Sequence, residues 1–485
     1  MSKWYLSKSK IISGNQCLKR LYLEVNKPEV SEVSCALEQQ FASGHKVGAA
    51  AQTLWPNGHL ITHDKDLAEA LKETKHLVST EAKTTLFEAT FEADGVLVRN
   101  DILEYAAKGS RLVEVKASTS LKDYHMLDVA VQAWVLQKAG VKLKRIELAH
   151  INNKFVYQGD GDYSDLFTFV DVVEDIQEHL RTVPDLVAKL RKMLEGSEPK
   201  ISIGPHCHDP YECPFLGYCT PPQPDYPVSL LPGRREAIDA LIAEGYQDLR
   251  EVPEGRLTDA KHQRIWRATK AGKPELLTGA KKILDELPYP RYYMDFETVN
   301  PAVPIWKDTR PYERLPFQWS CEVEAADGTL KHHEFLDTSG NAPMQDFSRT
   351  LLECMGMEGP IFVYNASFET SVLARLAVRF PRYRKALNGL IKRVVDLLPI
   401  TRNHYYHPDM HGSWSIKAVL PTIAPHLDYG NLGEVQDSGG APAAYLEIID
   451  ETTPEARREL LIADLRRYCE RDTVAMVEII KFISV

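Results

Sequence analysis

Residues 96–105 (VLVRNDILEY) and 111–117 (RLVEVKA) are runs of strand-forming apolar residues interrupted by polar ones. Ala107-Lys108-Gly109-Ser110 lies between them and supplies turn chemistry, so the pattern predicts a β-hairpin. The next stretch, roughly 123–139, takes a helical period, with Tyr124, Asp128 and Gln132 at i, i+4 and i+8 on one stripe. Residues 292–298 (YYMDFET) predict a second strand region. IFVYNASFETSVL then reads as strand, break and helix, an apolar strand ends at Asp396, and LRRYCERDTVAMVEII reads as a helix. Residues 221–227, Pro-Pro-Gln-Pro-Asp-Tyr-Pro, cannot be a helix interior and read as a linker. The expectation is an α/β chain in three parts: residues 1–220, a polar helical connector at 221–285, and a layered α/β domain at 286–485.

A length of 485 residues is too long for one ordinary core, which fits that division. Hydrophobic residues at 44% and charged residues at 26% match a soluble globular composition. No apolar run approaches membrane-spanning length. MSKWYLSKSK lacks the apolar stretch of a secretory signal, so a cytoplasmic protein is expected. Its eight cysteines then point to metal ligands or buried thiols rather than disulfides. A net charge of −10 does not exclude nucleic acid, because proteins that hold divalent metals on carboxylates are often acidic overall, with local basic grooves.

Candidate chemistry falls in three places. On the hairpin, Glu114 and Lys116 share a strand face, and Asp101 can reach the same face. Two carboxylates and the Val115 carbonyl suit Mg²⁺ or Mn²⁺, with Lys116 placed to orient water and offset developing charge. Glu88 is a further acid nearby in sequence. The plain alternative is a solvated hairpin face. The second place is CHDPYECPFLGYC, where Cys207, Cys213 and Cys219 join Cys17 from the other end of the region. Four thiolates suit a [4Fe–4S] cluster. Zinc is the alternative, given His206 and His208, although structural zinc prefers ligands two to four residues apart. Cys35, Cys321, Cys354 and Cys469 read as ordinary buried thiols.

Residues 1–220 resemble the RecB-type nucleases, including the CRISPR-associated and helicase-linked branches that carry an iron–sulfur cluster. The resemblance rests on Cys17, Asp101, Glu114, Lys116, Gln132, Cys207, Cys213 and Cys219, and it implies a restriction-endonuclease-like PD-(D/E)xK fold. This chain departs from the family in three ways. Cys207 and Cys213 are further apart than usual. Leu136 stands where a tyrosine is expected. His45 has a different offset from the family's early histidine, with Gly48 at that position.

In the third place, Asp295 and Glu297 at i, i+2 put two carboxylates on one strand face, and Tyr468 and Asp472 at i, i+4 share a helix face. With Asn365 and Glu369 between them, these residues resemble the DnaQ-type exonucleases, which fold like ribonuclease H. The resemblance implies that Asp295, Glu297, Glu369 and Asp472 hold two divalent metals and that Tyr468 places the water. Glu369 replaces the family's aspartate, and Asp396 is the other candidate for that role. Residues 228–270 resemble a helix–hairpin–helix module, with Arg264, Arg267 and Lys270 as phosphate contacts, or else a plain connector. Gln318-Trp319 and His411–Ser415 could line a channel by base stacking or could pack internally. His404, Tyr405, Tyr406 and His407 cluster in the same region of sequence.

As a whole the chain resembles uncharacterised bacterial proteins that fuse a RecB-type region to a DnaQ-like domain. The implied function is a metal-dependent exonuclease acting on single-stranded DNA ends in processing, repair or defence. RNA is the alternative substrate, and a nucleic-acid-binding partner of a helicase with one or both sites inactive is the alternative role.

Overall fold

In a computed structural model the strand patterns become two mixed sheets and a short ribbon. It describes residues 6–32, 35–62, 66–233, 235–427, 429–430, 432–435 and 439–484, with the side chains of 35–38, including Cys35, outside the description. The architecture is mixed α/β. The chain folds into two compact units, residues 1–221 with 301–313 and residues 222–300 with 314–485. Among the described residues no helix is long and apolar enough to cross a membrane.

The first unit is built on a seven-stranded sheet. Its central path runs from Lys83–Ala93 through Val96–Ala106, Ser110–Lys116 and Leu143–Ile151 to Phe167–Asp171. The expected hairpin is present, and its second strand pairs parallel with Leu143–Ile151. Two irregularities shape its end. Glu88 adopts φ 55° and is skipped in the register between Phe87↔Ile102 and Ala89↔Asn100. Pairing within the hairpin stops at Ile102↔Val113, one step short of Asp101 and Glu114. The register is the same on both sides of Glu88, so Glu88 and Asp101 face each other across an interrupted stretch of the ladder.

Helix Asp123–Lys138 packs on this sheet and against helices Lys8–Gln16 and Gln177–Leu194. Val129 to Leu136 are buried, as expected for a helix covered on all sides. Leu136 is a core residue with no exposed surface.

The second unit centres on strand Arg291–Val299 in a five-stranded sheet. Leu315–Glu324 lies antiparallel to it on one side and Ile361–Val363 parallel on the other, followed by Val394–Asp396. Alternation decides the two faces. Phe296 points to one face and meets Phe347 edge-on at 5.0 Å. Asp295 and Glu297 point to the other, opposite Ser320 and Gln318 in register. There the C-terminal helix Glu455–Ile483 is tied down by polar contacts: Gln318 donates to the Leu465 carbonyl at 2.9 Å, and Ser320 and Thr473 share a hydrogen bond at 3.1 Å. Residues 222–285 fold with this unit. Their helix Ala260–Ala271 starts on Asp259 as N-cap and stops at Gly272 with φ 60°.

Candidate functional site

The hairpin acids meet where its ladder is interrupted. Asp101 Oδ2 accepts the Val115 N–H at 2.7 Å, taking the place of the missing ladder bond. Glu114, 2% exposed, is surrounded by donors. Lys116 and Lys8 each reach Oε1 at 2.7 Å, and Gln132 Nε2 reaches Oε2 at 2.5 Å. Asn100 Nδ2 in turn donates to Gln132 Oε1 at 2.7 Å. Asp128 pairs with Lys116 and lies 3.3 Å from Lys8. The polar stripe thus faces Glu114. Burial opposes ionisation of Glu114, but Lys116 and Lys8 outweigh it and hold the carboxyl below its usual range. Asp101 is pushed up, first by burial and then by Glu114.

Three carboxylates therefore face two ammonium groups, and both oxygens of Glu114 are engaged. Lys8 comes from the N-terminal helix, 106 residues away from Glu114, and no local pattern marks it. Lys8→Met is expected to destabilise the first unit by about 2 kcal/mol, less than a fully buried pair because Lys8 is partly exposed. Urea denaturation measures this.

The same helix leads into the cysteines. Gln16 Nε2 donates to the carbonyls of His206 and Tyr211, each at 2.7 Å. Cys17, Cys207, Cys213 and Cys219 line one small cavity with Leu23, Ile201, Phe215 and Leu216. His206 also lines it, whereas His208 pairs with Glu212 at 3.0 Å. Burial pushes the Cys213 and Cys219 thiols up, while the nearby Arg20 and Lys19 favour their thiolates. Tyr211 of this loop packs on Tyr124 at 5.3 Å, and burial pushes its hydroxyl up to about 12. Glu88 acts on Asp101 through its charge. His45 is exposed on helix Cys35–Gln52.

In the second unit four carboxylates converge, and Lys417 acts on Glu297 and Asp472 through its charge. Oxygens of Asp295, Glu297 and Asp472 all lie within 4.8 Å of one another. Asp295 and Glu297 are both pushed well above the carboxylate range, first by burial and then by Asp472. Asp472 rises to about 6, chiefly through burial, with Tyr429 and Lys417 opposing the rise. Glu369 enters from the first turn of helix Ser367–Arg379, is 3% exposed, and is pushed up by burial to about 8. Its Oε2 has no hydrogen-bond partner among the described residues.

Asn365, at φ 79°, turns the chain out of strand Ile361–Val363 into that helix. Asp396 is spent on this turn, accepting the N–H groups of Asn365, Ala366 and Leu398 at 3.0, 3.1 and 3.0 Å. Its fixed role leaves Glu369 as the acid aimed inward. Tyr429 donates to Asp472 at 2.5 Å, and Tyr468 is buried beside these acids, its hydroxyl pushed up by burial and by Asp472. Cys469 Sγ lies 3.6 Å from Asp295 Oδ2, so this thiol borders the acids.

Residues 292–415 match the family described as domain of unknown function DUF2779. The match includes Asp295, Glu297 and Glu369 and stops before Asp472. Three curated relatives are similar at low identity. Uncharacterized protein UU173 of Ureaplasma parvum is 23% identical over 245 residues, covering 46% of this chain and 35% of its own. The MG366 homolog of Mycoplasma pneumoniae is 25% identical over 224 residues, covering 42% and 33%. MG366 of Mycoplasma genitalium is 23% identical over 223 residues, with the same coverage. The matched part of this chain spans about a third of the length of each relative.

Other expected contacts are used internally. Arg264 and Arg267 both pair with Glu275, and Lys270 lies over Trp266. Gln318 and Trp319 are buried in the sheet, and Trp414 donates to the Tyr405 carbonyl at 2.8 Å. His404 bonds the Ile400 carbonyl, Tyr406 is buried, and His407 caps Pro408–Met410. A second group of donors, Glu322, His332 and Glu470, also closes to within 4.8 Å. The carboxylates of Glu322 and Glu334, accepting from the ring, raise His332 to about 10, so it carries a proton at neutral pH and offers no lone pair. An unfolded histidine titrates near ~6.5. The stability His332 adds should therefore be full below that pH and be lost as pH rises towards 10. A proton NMR titration of its ring should show a midpoint well above 7.

Proposed function

We propose that this protein is a metal-dependent hydrolase of nucleic-acid phosphodiester bonds, working at the second centre as an exonuclease on single-stranded DNA ends. One observation carries the reading: three carboxylates within 4.8 Å, with a fourth, Glu369, presenting a buried oxygen that has no partner among the described residues. Like charges at that spacing repel by about 3 kcal/mol per pair at an effective dielectric near ~20. Hard divalent cations such as Mg²⁺ or Mn²⁺ remove that repulsion and prefer oxygen ligands. The donor set fits them, with Asp295, Glu297, Glu369 and Asp472 as ligands. When bound, they supply positive charge that acidifies water and offsets charge on the phosphate. Tyr468 holds its proton and orients the attacking water, and Tyr429 fixes the Asp472 carboxylate by its hydrogen bond.

The first centre supports a different role. Its Glu114 is already neutralised by Lys8 and Lys116, which weakens the case for a divalent cation on Asp101, Glu114 and the Val115 carbonyl. We read the first unit as a nucleic-acid clamp held by a cluster on Cys17, Cys207, Cys213 and Cys219. Four cysteines from the two ends of this unit line one cavity, and four thiolates suit [4Fe–4S].

The test is purified protein with Mn²⁺ and end-labelled single-stranded DNA, duplex DNA and RNA. Cleavage that survives Glu114→Ala and disappears in Asp295→Ala is expected. No cleavage of any substrate sinks the hydrolase reading, and preferential cleavage of RNA replaces DNA as substrate.

A further inference from the structure

The second centre contains a cation that the carboxylate pattern does not include. Lys417 lies in the first turn of helix Ile416–Ile423, two residues after the N-cap Ser415. Its backbone is held on both sides. Ser415 Oγ accepts the Ala418 N–H at 3.3 Å, and Tyr364 donates to the Trp414 carbonyl at 2.7 Å. The Lys417 ammonium stands 4.9 Å from the ring centre of Tyr468 and 5.1 Å from that of Tyr429. Those rings flank Asp472, and the charge of Lys417 acts on both Glu297 and Asp472. Two aromatic faces hold a cation beside them by its charge.

We propose that Lys417 is a catalytic residue of the second centre that binds a non-bridging oxygen of the scissile phosphate. This rests on the hydrolase reading of that centre. Metal ligation by carboxylates leaves the phosphate oxygens facing acid side chains, and a fixed ammonium among them offsets the charge that grows on phosphorus-bound oxygen. In the step itself, a water oxygen bonds to phosphorus while the bond from phosphorus to the leaving oxygen breaks. The proton lost by water passes to solvent, and the leaving oxygen takes one from solvent. Lys417 keeps its proton throughout and supplies charge and position only.

The experiment uses the full chain with Lys417→Met and Lys417→Arg. Single-turnover cleavage of labelled single-stranded DNA is measured at saturating Mn²⁺, and Mn²⁺ affinity is measured by paramagnetic resonance. Binding of the same strand in Ca²⁺ is followed as a function of salt. Lys417→Met should slow cleavage by roughly 10²–10³-fold. It should leave Mn²⁺ affinity unchanged or tighter, because a competing positive charge is gone. The salt slope of strand binding should fall by about 0.7, the share of one phosphate contact on a single strand. Lys417→Arg should recover most of the rate.

Cleavage by Lys417→Met within threefold of wild type overturns the proposal, as does an unchanged salt slope. If Lys417→Met fails to fold, Lys417→Arg decides: a folded arginine variant as slow as Asp295→Ala also overturns it. Wild type that cleaves nothing fails the hydrolase reading itself, whereas wild type that cleaves beside an equally fast Lys417→Met fails only this inference.

Discussion

Asp295→Asn should abolish hydrolysis and, in chelator-treated protein, raise the melting temperature. Both effects come from the same charges. Asp295, Glu297 and Asp472 hold oxygens within 4.8 Å of one another, and Glu369 is buried close enough to act on Asp295 and Glu297. Without a cation the folded state bears this repulsion and the unfolded chain does not. Replacing one carboxylate by a neutral isostere removes a share of it, at least about 1 kcal/mol on the scale of a single pKa unit. Mn²⁺ should reverse the order, since a ligand that binds only the folded state stabilises it by mass action. Wild type should gain several degrees with Mn²⁺, and Asp295→Asn much less. The rate should fall by at least about 10³-fold, several kcal/mol of lost charge stabilisation. Calorimetry with and without Mn²⁺, beside a cleavage assay, checks all of this. A chelated variant less stable than chelated wild type would contradict the account of the centre as four mutually repelling acids.

Cys17→Ala should leave the protein colourless and open the first unit to protease. Cys17 stands between helices Lys8–Gln16 and Leu18–Asn26, while its partners follow ~190 residues later. A cross-link closing a loop that long removes about 5 kcal/mol of chain entropy from the unfolded state, if a cluster acts as a disulfide does. Helix Lys8–Gln16 carries Lys8 into the acids and Gln16 into the cysteine loop, so its release should loosen both. Wild type purified without oxygen should be brown, with a band near roughly 400 nm, and Cys17→Ala should lack it. Limited proteolysis should then cut within residues 1–221 and spare the second unit. Colourless wild type with stoichiometric zinc would replace the cluster by zinc, and undiminished stability in Cys17→Ala would remove the clamp.

Local periodicity made much of the scaffold legible. The strand-forming runs VLVRNDILEY and RLVEVKA put Glu114 and Lys116 on one strand face, and the helical spacing of Tyr124, Asp128 and Gln132 fixes a helix face, because side-chain direction follows from backbone geometry. Asp295 with Glu297, and Tyr468 with Asp472, were paired in sequence for the same reason. Lys8, Tyr429 and Lys417 carry no such signal. Each reaches its carboxylates from a distant element, and no spacing rule relates Lys8 to Glu114 or Tyr429 to Asp472 across 106 and 43 residues.

The sequence by itself determined which residues share a strand or helix face, that the proline-rich stretch 221–227 is not helical, and that acids and thiols collect in three places. Only the tertiary structure decided how those acids are compensated. In the first unit the N-terminal helix lays Lys8 on Glu114, so that centre is neutralised from within. In the second, the C-terminal helix lays Asp472 on Asp295 and Glu297 and adds negative charge. The physical reason is that charge compensation depends on distance through space, and the chain sets that distance only when its elements pack.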